Sequence, residues 1–198
     1  MKGLRSYNPT NFFNEGLLGQ YAIGASTGLV AAGTTGEIYQ FRWQDSIRFA
    51  AIRKVTLHVA VATAFAAPAS PLQFDIIRAG GWTGQGTGGT ALDTTTGSGK
   101  RRSQMPSSLL LAGDLRIATT AALGAGMKTL DALALATEDV PFTGTVGFSR
   151  LLDFQSGDMD YPLVLATTEG FAVRILTNPG TGTLVASVST EWVEVDAR

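Results

Sequence analysis

Leu184-Val185-Ala186-Ser187-Val188-Ser189-Thr190-Glu191-Trp192-Val193-Glu194-Val195 is the stretch that decides how this chain is read. On an extended backbone, Val185, Ser187, Ser189 and Glu191 fall on one side, and Ala186, Val188, Thr190 and Trp192 on the other. Alternation of this kind marks a strand with one buried face. Working back from it, Phe171, Val173 and Ile175 alternate with Ala172 and Arg174. Leu163, Leu165 and Thr167 likewise alternate with Val164 and Ala166. Thr168-Glu169-Gly170 is short enough to join them by a hairpin or a tight corner. Asn178-Pro179-Gly180 is a turn by its chemistry, because proline presets one central angle and glycine tolerates the other.

The same period runs further upstream. Tyr39, Phe41 and Trp43 alternate with Gln40 and Arg42, and Val55, Leu57, Val59 and Val61 with Thr56, His58, Ala60 and Ala62. Leu72, Phe74 and Ile76 alternate with Gln73 and Asp75. Residues 109–136 are read as strand rather than helix, because Gly113, Gly124, Gly126 and the threonines make a poor helix. About seven or eight strands at turn-bounded spacing, with no convincing helical run, predict an all-β antiparallel β-sandwich, most simply a jelly roll. Residues 1–35 hold no period and are expected to form an irregular N-terminal arm, leaving 36–198 as the β-sandwich domain. Residues 80–99 carry eight glycines in twenty and read as an extended Gly-rich loop.

Composition narrows the chemistry. The 198 residues suit one domain with an appended arm. Charged residues are 16% of the chain, below the ~25% of an average soluble protein, while 44% hydrophobic content is too much for a disordered one. No cysteine means no disulfide, thiolate metal site or cysteine nucleophile. Lys2 and Arg5 mimic the start of a signal peptide, but Asn8, Pro9, Asn11 and Gly16 to Gly28 break the apolar helix it needs. The longest apolar stretch, Val59 to Ala67, falls short of a membrane span. The expectation is a soluble protein made in a cytoplasm, without membrane contact. Residues 1–102 hold ten basic and five acidic side chains, net +5, and residues 103–198 five and eleven, net −6. That polarity suits oppositely charged neighbours, copies of the chain included, or is a chance of loop composition. A pI near 5.8 argues against nucleic acid as a partner.

Motifs for catalysis fail one by one. Gly84-Gln85-Gly86-Thr87-Gly88-Gly89 has dinucleotide-site spacing, but Thr90-Ala91-Leu92-Asp93 does not open a helix. Gly97-Ser98-Gly99-Lys100 lacks both the first glycine of a P-loop and its final Ser or Thr. His58 is a mid-strand histidine with no G-x-S-x-G elbow to serve. Asp153, Asp158 and Asp160 suggest a cation loop, yet their spacing is not that of an EF-hand, and a structural turn explains them better. The expectation is a non-enzymatic protein with no cofactor and no metal. Two features suit contact with a partner. Tyr7, Phe12 and Phe13 in the arm need something to dock on, either the chain's own body or a neighbour. Lys100-Arg101-Arg102 at the loop end suits phosphate, an acidic surface or carboxylates of another subunit, or is merely solvated.

Four pieces near the C-terminus carry a resemblance: Pro162-Leu163-Val164-Leu165-Ala166, Glu169-Gly170-Phe171-Ala172-Val173-Arg174, Gly182-Thr183-Leu184 and Glu191-Trp192-Val193-Glu194-Val195. In order and texture they resemble the closing strands of β-sandwich virion proteins of tailed bacteriophages. Lys100-Arg101-Arg102, Pro106-Ser107-Ser108, Arg116-Ile117-Ala118-Thr119-Thr120 and Thr129-Leu130-Asp131-Ala132 resemble the same group more weakly. The resemblance spans roughly residues 100–195 and does not reach the arm or the Gly-rich loop. It implies a jelly-roll cement or decoration protein of the capsid surface, a homo-oligomer bound to the major capsid protein and made in the host cytoplasm. Such proteins bridge neighbouring capsomers, and multivalency multiplies modest contacts. A rival reading is a tail-fibre or receptor-binding module contacting a host glycan, with Trp82 as its stacking platform. Trp82 pinning the loop to the body is the plainer account of that residue.

Overall fold

The computed structural model describes residues 19–65, 71–95, 99–101, 105–140, 147–153 and 162–196. Among them the regular elements are strands: β1 (Gly19–Ser26), β2 (Gly36–Trp43), β3 (Arg48–Thr63), β4 (Leu72–Gly80), β5 (Thr90–Leu92), β6 (Leu115–Ile117), β7 (Thr129–Leu130), β8 (Ala136–Val140), β9 (Gly147–Asp153), β10 (Leu163–Leu165), β11 (Glu169–Thr177) and β12 (Thr183–Asp196). They form two antiparallel sheets packed face to face, an all-β sandwich as the alternation predicts. The first sheet runs β1-β12-β3-β10, with β9 also on β3. The second runs β5-β6-β2-β11-β4-β7, with β8 also on β4. The chain crosses between sheets from β1 to β2, β2 to β3, β3 to β4, β8 to β9, β10 to β11 and β11 to β12.

The core lies where the alternating apolar residues of both sheets meet. Ile52, Val55, Leu57, Val188 and Trp192 come from the first sheet, and Tyr39, Phe41, Phe74, Ile76, Phe171 and Val173 from the second. Aromatic rings bind the layers together. Trp192 stacks on Tyr21 at 5.4 Å between centroids and takes Phe41 of the opposite sheet edge-on at 5.5 Å. Phe41 in turn stacks on Phe171 at 5.3 Å, and such pairs add stability beyond the area they bury. On β3, Arg53 is an extra residue between the pairs Glu191–Lys54 and Trp192–Ile52. This bulge lets Ile52 and Val55, three apart in sequence, both face the core.

Three expectations change. Residues 19–26, placed in the arm, are an edge strand paired along their whole length with β12. Tyr21 is fully buried against Trp192, and Val30 exchanges backbone hydrogen bonds with Leu184, so the sandwich begins by Gly19. Residues 1–18 lie outside the described residues. The Gly-rich loop contains a strand of its own, β5, paired with β6. Finally, residues 109–136 contribute only the short β6 and β7 and the start of β8, whereas Leu109 to Leu111 lie outside any strand.

Candidate functional site: the covered face of the second sheet

Three rows of residues cross the outer side of the second sheet, away from the core. Cross-strand register sets Glu37, Arg174 and Asp75 in one row, Gln40, Ala172 and Ile77 in the next, and Arg42, Gly170 and Ala79 in the third. A sheet face opposite the core is ordinarily open to water. This one is not. Glu37, Gln40, Asp75, Ile77, Ala79 and Ala172 are all buried.

The cover is made by residues 81–89 and 123–128. Trp82 N–H donates to the Thr168 carbonyl at 3.1 Å, Thr83 N–H to Met127 at 2.9 Å and Leu123 N–H to Glu37 at 2.7 Å. Gln85 Nε2 donates to the Ala112 carbonyl at 2.6 Å, and Thr87 bridges to Gly124. Glycine is what allows so close an approach. A Cβ on Gly86 would stand 1.8 Å from Gln40 Oε1, and one on Gly89, whose φ is +58°, would stand 2.1 Å from the Ile117 carbonyl oxygen. Trp82, only 3% exposed, lies against Gly170 and pins the cover to the sheet. It is therefore not a platform for a glycan.

Charges shut under such a cover must find partners, since burying them alone is costly. Arg174 grips Asp75 with two parallel bonds, Nε to Oδ1 at 3.0 Å and Nη2 to Oδ2 at 2.5 Å. Hydrogen bonding to Asp75 raises the Arg174 pKa further above its ordinary value. The Lys128 side chain is fully buried, its Nζ 2.7 Å from Glu37 Oε2 and 4.5 Å from the centre of the Trp82 ring. Gln40 Nε2 donates to the same Glu37 Oε2 at 2.6 Å and to the Gly124 carbonyl at 3.0 Å. Glu37 Oε1, Gln40 Oε1 and Trp82 Nε1 are buried with no hydrogen-bond partner among the described residues. An amine, a carboxylate and a carboxamide thus meet at one oxygen, away from water.

Asp114 holds the neighbouring turn. Its carboxylate accepts from Leu111 N–H at 3.1 Å and pairs with Arg42 at 3.3 Å. Burial pushes its pKa up in spite of these partners.

The sequence-derived contact residues fare differently. Tyr7, Phe12, Phe13 and Arg102 lie outside the described residues. Lys100 and Arg101 lie along the free edge of β1: Lys100 bridges to Tyr21, Ala22 N–H donates to Gly99 at 2.8 Å, and Arg101 N–H donates to Gln20 at 3.1 Å. Arg101 Nη2 reaches Glu191 Oε1 of the same chain at 2.5 Å. The segment acts as one more rung on an exposed edge, a common way to blunt it. The chain continues to Ser108, whose hydroxyl donates to the buried Glu194 carboxylate at 2.6 Å. Leu109 N–H donates to the same oxygen at 3.0 Å, yet burial pushes the Glu194 pKa up.

Among the other residues singled out, His58 sits on the outer side of the first sheet, cross-strand from Ser187. Asp158 and Asp160 lie outside the described residues, and Asp153 ends β9. Among the described residues no three His, Asp or Glu side chains gather as a metal site would require. Sequence reading passed over Glu37, Gln40 and Lys128. The signal that could have found them is the glycine spacing of residues 84–89, which permits backbone to lie directly on a sheet. No protein-family model matches this chain, and no curated protein matches it.

Proposed function

We propose that this protein is a capsid cement or decoration protein of a tailed bacteriophage, that its sandwich is a jelly roll, and that it binds the shell exterior as a homo-oligomer, bridging neighbouring subunits of the major capsid protein. The observation that carries the reading is the position of the resembling segments. Pro162–Ala166, Glu169–Arg174, Gly182–Leu184 and Glu191–Val195 supply β10, most of β11 and half of β12, and the last two strands are interior to their sheets. The resemblance therefore falls on the framework rather than on loops, where short matches mean least. A chain crossing between sheets at six connections, with β12 beside β1 and β11 beside β2, accords with a jelly roll. The glycan-binding alternative loses its main support with Trp82 buried.

Copy number and place in purified particles test the reading. Many copies spread over the head surface are expected by quantitative mass spectrometry and antibody labelling. A few copies at the tail tip, or none in the particle, would sink it. Lys100→Glu with Arg101→Glu is expected to weaken attachment to shells at low salt. Unchanged attachment would remove these cations from the contact.

A further inference from the structure

We propose that Lys128 and Gln40 become joined by an isopeptide bond that the protein forms by itself, with Glu37 as proton carrier. The inference concerns the chain's own covalent structure and stands apart from the particle reading.

Two nitrogens share one oxygen of Glu37. Lys128 Nζ and Gln40 Nε2 lie 2.7 Å and 2.6 Å from Glu37 Oε2, so the amine and the carboxamide nitrogen converge on one carboxylate oxygen. The Lys128 side chain is fully buried, and Glu37 and Gln40 are 2% and 1% exposed. Two charges buried there carry a desolvation cost that a single ion-pair contact offsets only in part, and Nζ has no hydrogen-bond partner among the described residues. Passing one proton from Nζ to Oε2 leaves a neutral amine beside a neutral acid, and the amine then has the lone pair a nucleophile needs.

Gln40 is the acceptor because its carboxamide is uncharged and because its nitrogen already touches the proton carrier. Its Nε2 is fixed by Glu37 and by the Gly124 carbonyl, while Oε1 has no ground-state donor to lose. Trp82 Nε1 is an unsatisfied donor under the same cover. Holding reacting groups together in this way replaces a bimolecular encounter by an intramolecular step.

The step balances without a co-reactant. Nζ attacks Gln40 Cδ, and the carbonyl opens to a tetrahedral adduct with its charge on Oε1. Glu37 gives its proton to Nε2 and takes a second one from Nζ. The adduct collapses, the Cδ–Nε2 bond breaks, and the departing ammonia collects the second proton and leaves as ammonium. The products are a secondary amide between Nζ and Cδ and a Glu37 carboxylate as at the start. Nothing is oxidised or reduced. The new bond fastens the 123–128 segment of the cover to β2.

Intact-mass measurement of the full chain, unfolded just before analysis, is the test. The expected mass is one ammonia below that of the sequence, and digestion is expected to yield a branched peptide joining the Gln40 segment to the Lys128 segment. Glu37→Gln and Lys128→Met are each expected to restore the full mass and abolish the branched peptide. Wild-type protein at its full mass after prolonged incubation at neutral pH overturns the proposal. So does a mass one water low with the branch at Glu37. Should either variant fail to fold, the branched peptide of the wild type decides alone.

Discussion

On the outer side of the first sheet, Ser26, Ser187 and His58 stand in one row and Gly24, Ser189 and Thr56 in the next, all at least partly open to solvent. On the outer side of the second, Glu37, Arg174 and Asp75 form the corresponding row, with both carboxylates shut in. The strands of the two sheets alternate alike, and their inner sides make one core. Their outer sides differ because the 81–89 and 123–128 segments lie over one sheet only. The open side can be built of small hydroxyl residues that bond each other loosely, as Ser26 and Ser187 do at 2.6 Å. The covered side has to be solved like an interior, with each charge facing a countercharge. Alternation tells which side of a strand meets the core; it is silent on whether the other side meets water.

The sharpest way to break the contrast is Asp75→Ala. It leaves Arg174, whose side chain is 24% exposed, without its bidentate partner and is expected to cost about 3 kcal/mol, read from denaturant unfolding. A loss below about 1 kcal/mol would mean the covered side behaves like an ordinary surface. Trp82→Ala comes next, at about 3 kcal/mol for a buried indole, with new protease cleavage inside residues 81–89. Amide exchange on β12 is expected to stay unchanged, and acceleration there would show that the cover supports both sheets.

The pH dependence divides between the sheets. Burial raises the pKa of Glu194 on the first and of Asp114 beside the second. In each case the folded state takes up a proton at a pH where the unfolded chain is still ionised. The contribution to stability is therefore fully present below the ordinary carboxylate range and lost as pH rises through the raised folded value. The unfolding midpoint is expected to climb as pH falls from neutral into the mildly acidic range. Glu194→Gln should remove one share of that slope and Asp114→Asn the other. An unchanged slope in both would assign it elsewhere. The smallest effect belongs to the open side, where Ser187→Ala is expected to stay within about 0.5 kcal/mol of wild type.

The inner half of the molecule was legible because apolar residues at every second position leave few alternatives. Phe171, Val173, Ile175, Val188 and Trp192 face the core as read. β1 escaped notice because Ala22, Gly24 and Ser26 give its outward positions no contrast, and only Tyr21 and Ile23 mark the inward ones. Its strand character comes from pairing with β12, a contact between residues far apart in sequence. Glu37 and Gln40 were passed over for a related reason. Polar residues between aromatics look solvent-facing, and what buries them is a glycine-rich segment whose own composition suggested a loose loop. Lys100 and Arg101 are visible in the sequence as cations at a loop end, but the edge that receives them lies in residues that read as an arm.

The β1–β12 ladder has a mechanical side. Gly19 pairs with Glu194 and Ser26 with Ser187, so β1 begins and β12 ends at the same corner of the first sheet. Tension between those two strand ends would act at one end of the ladder and peel it rung by rung from Gly19 toward Ser26. Load entering through the side of the sandwich would instead have to shear long stretches of β12 and β3 at once. A body strung this way yields to a pull at one corner and resists a push across its faces.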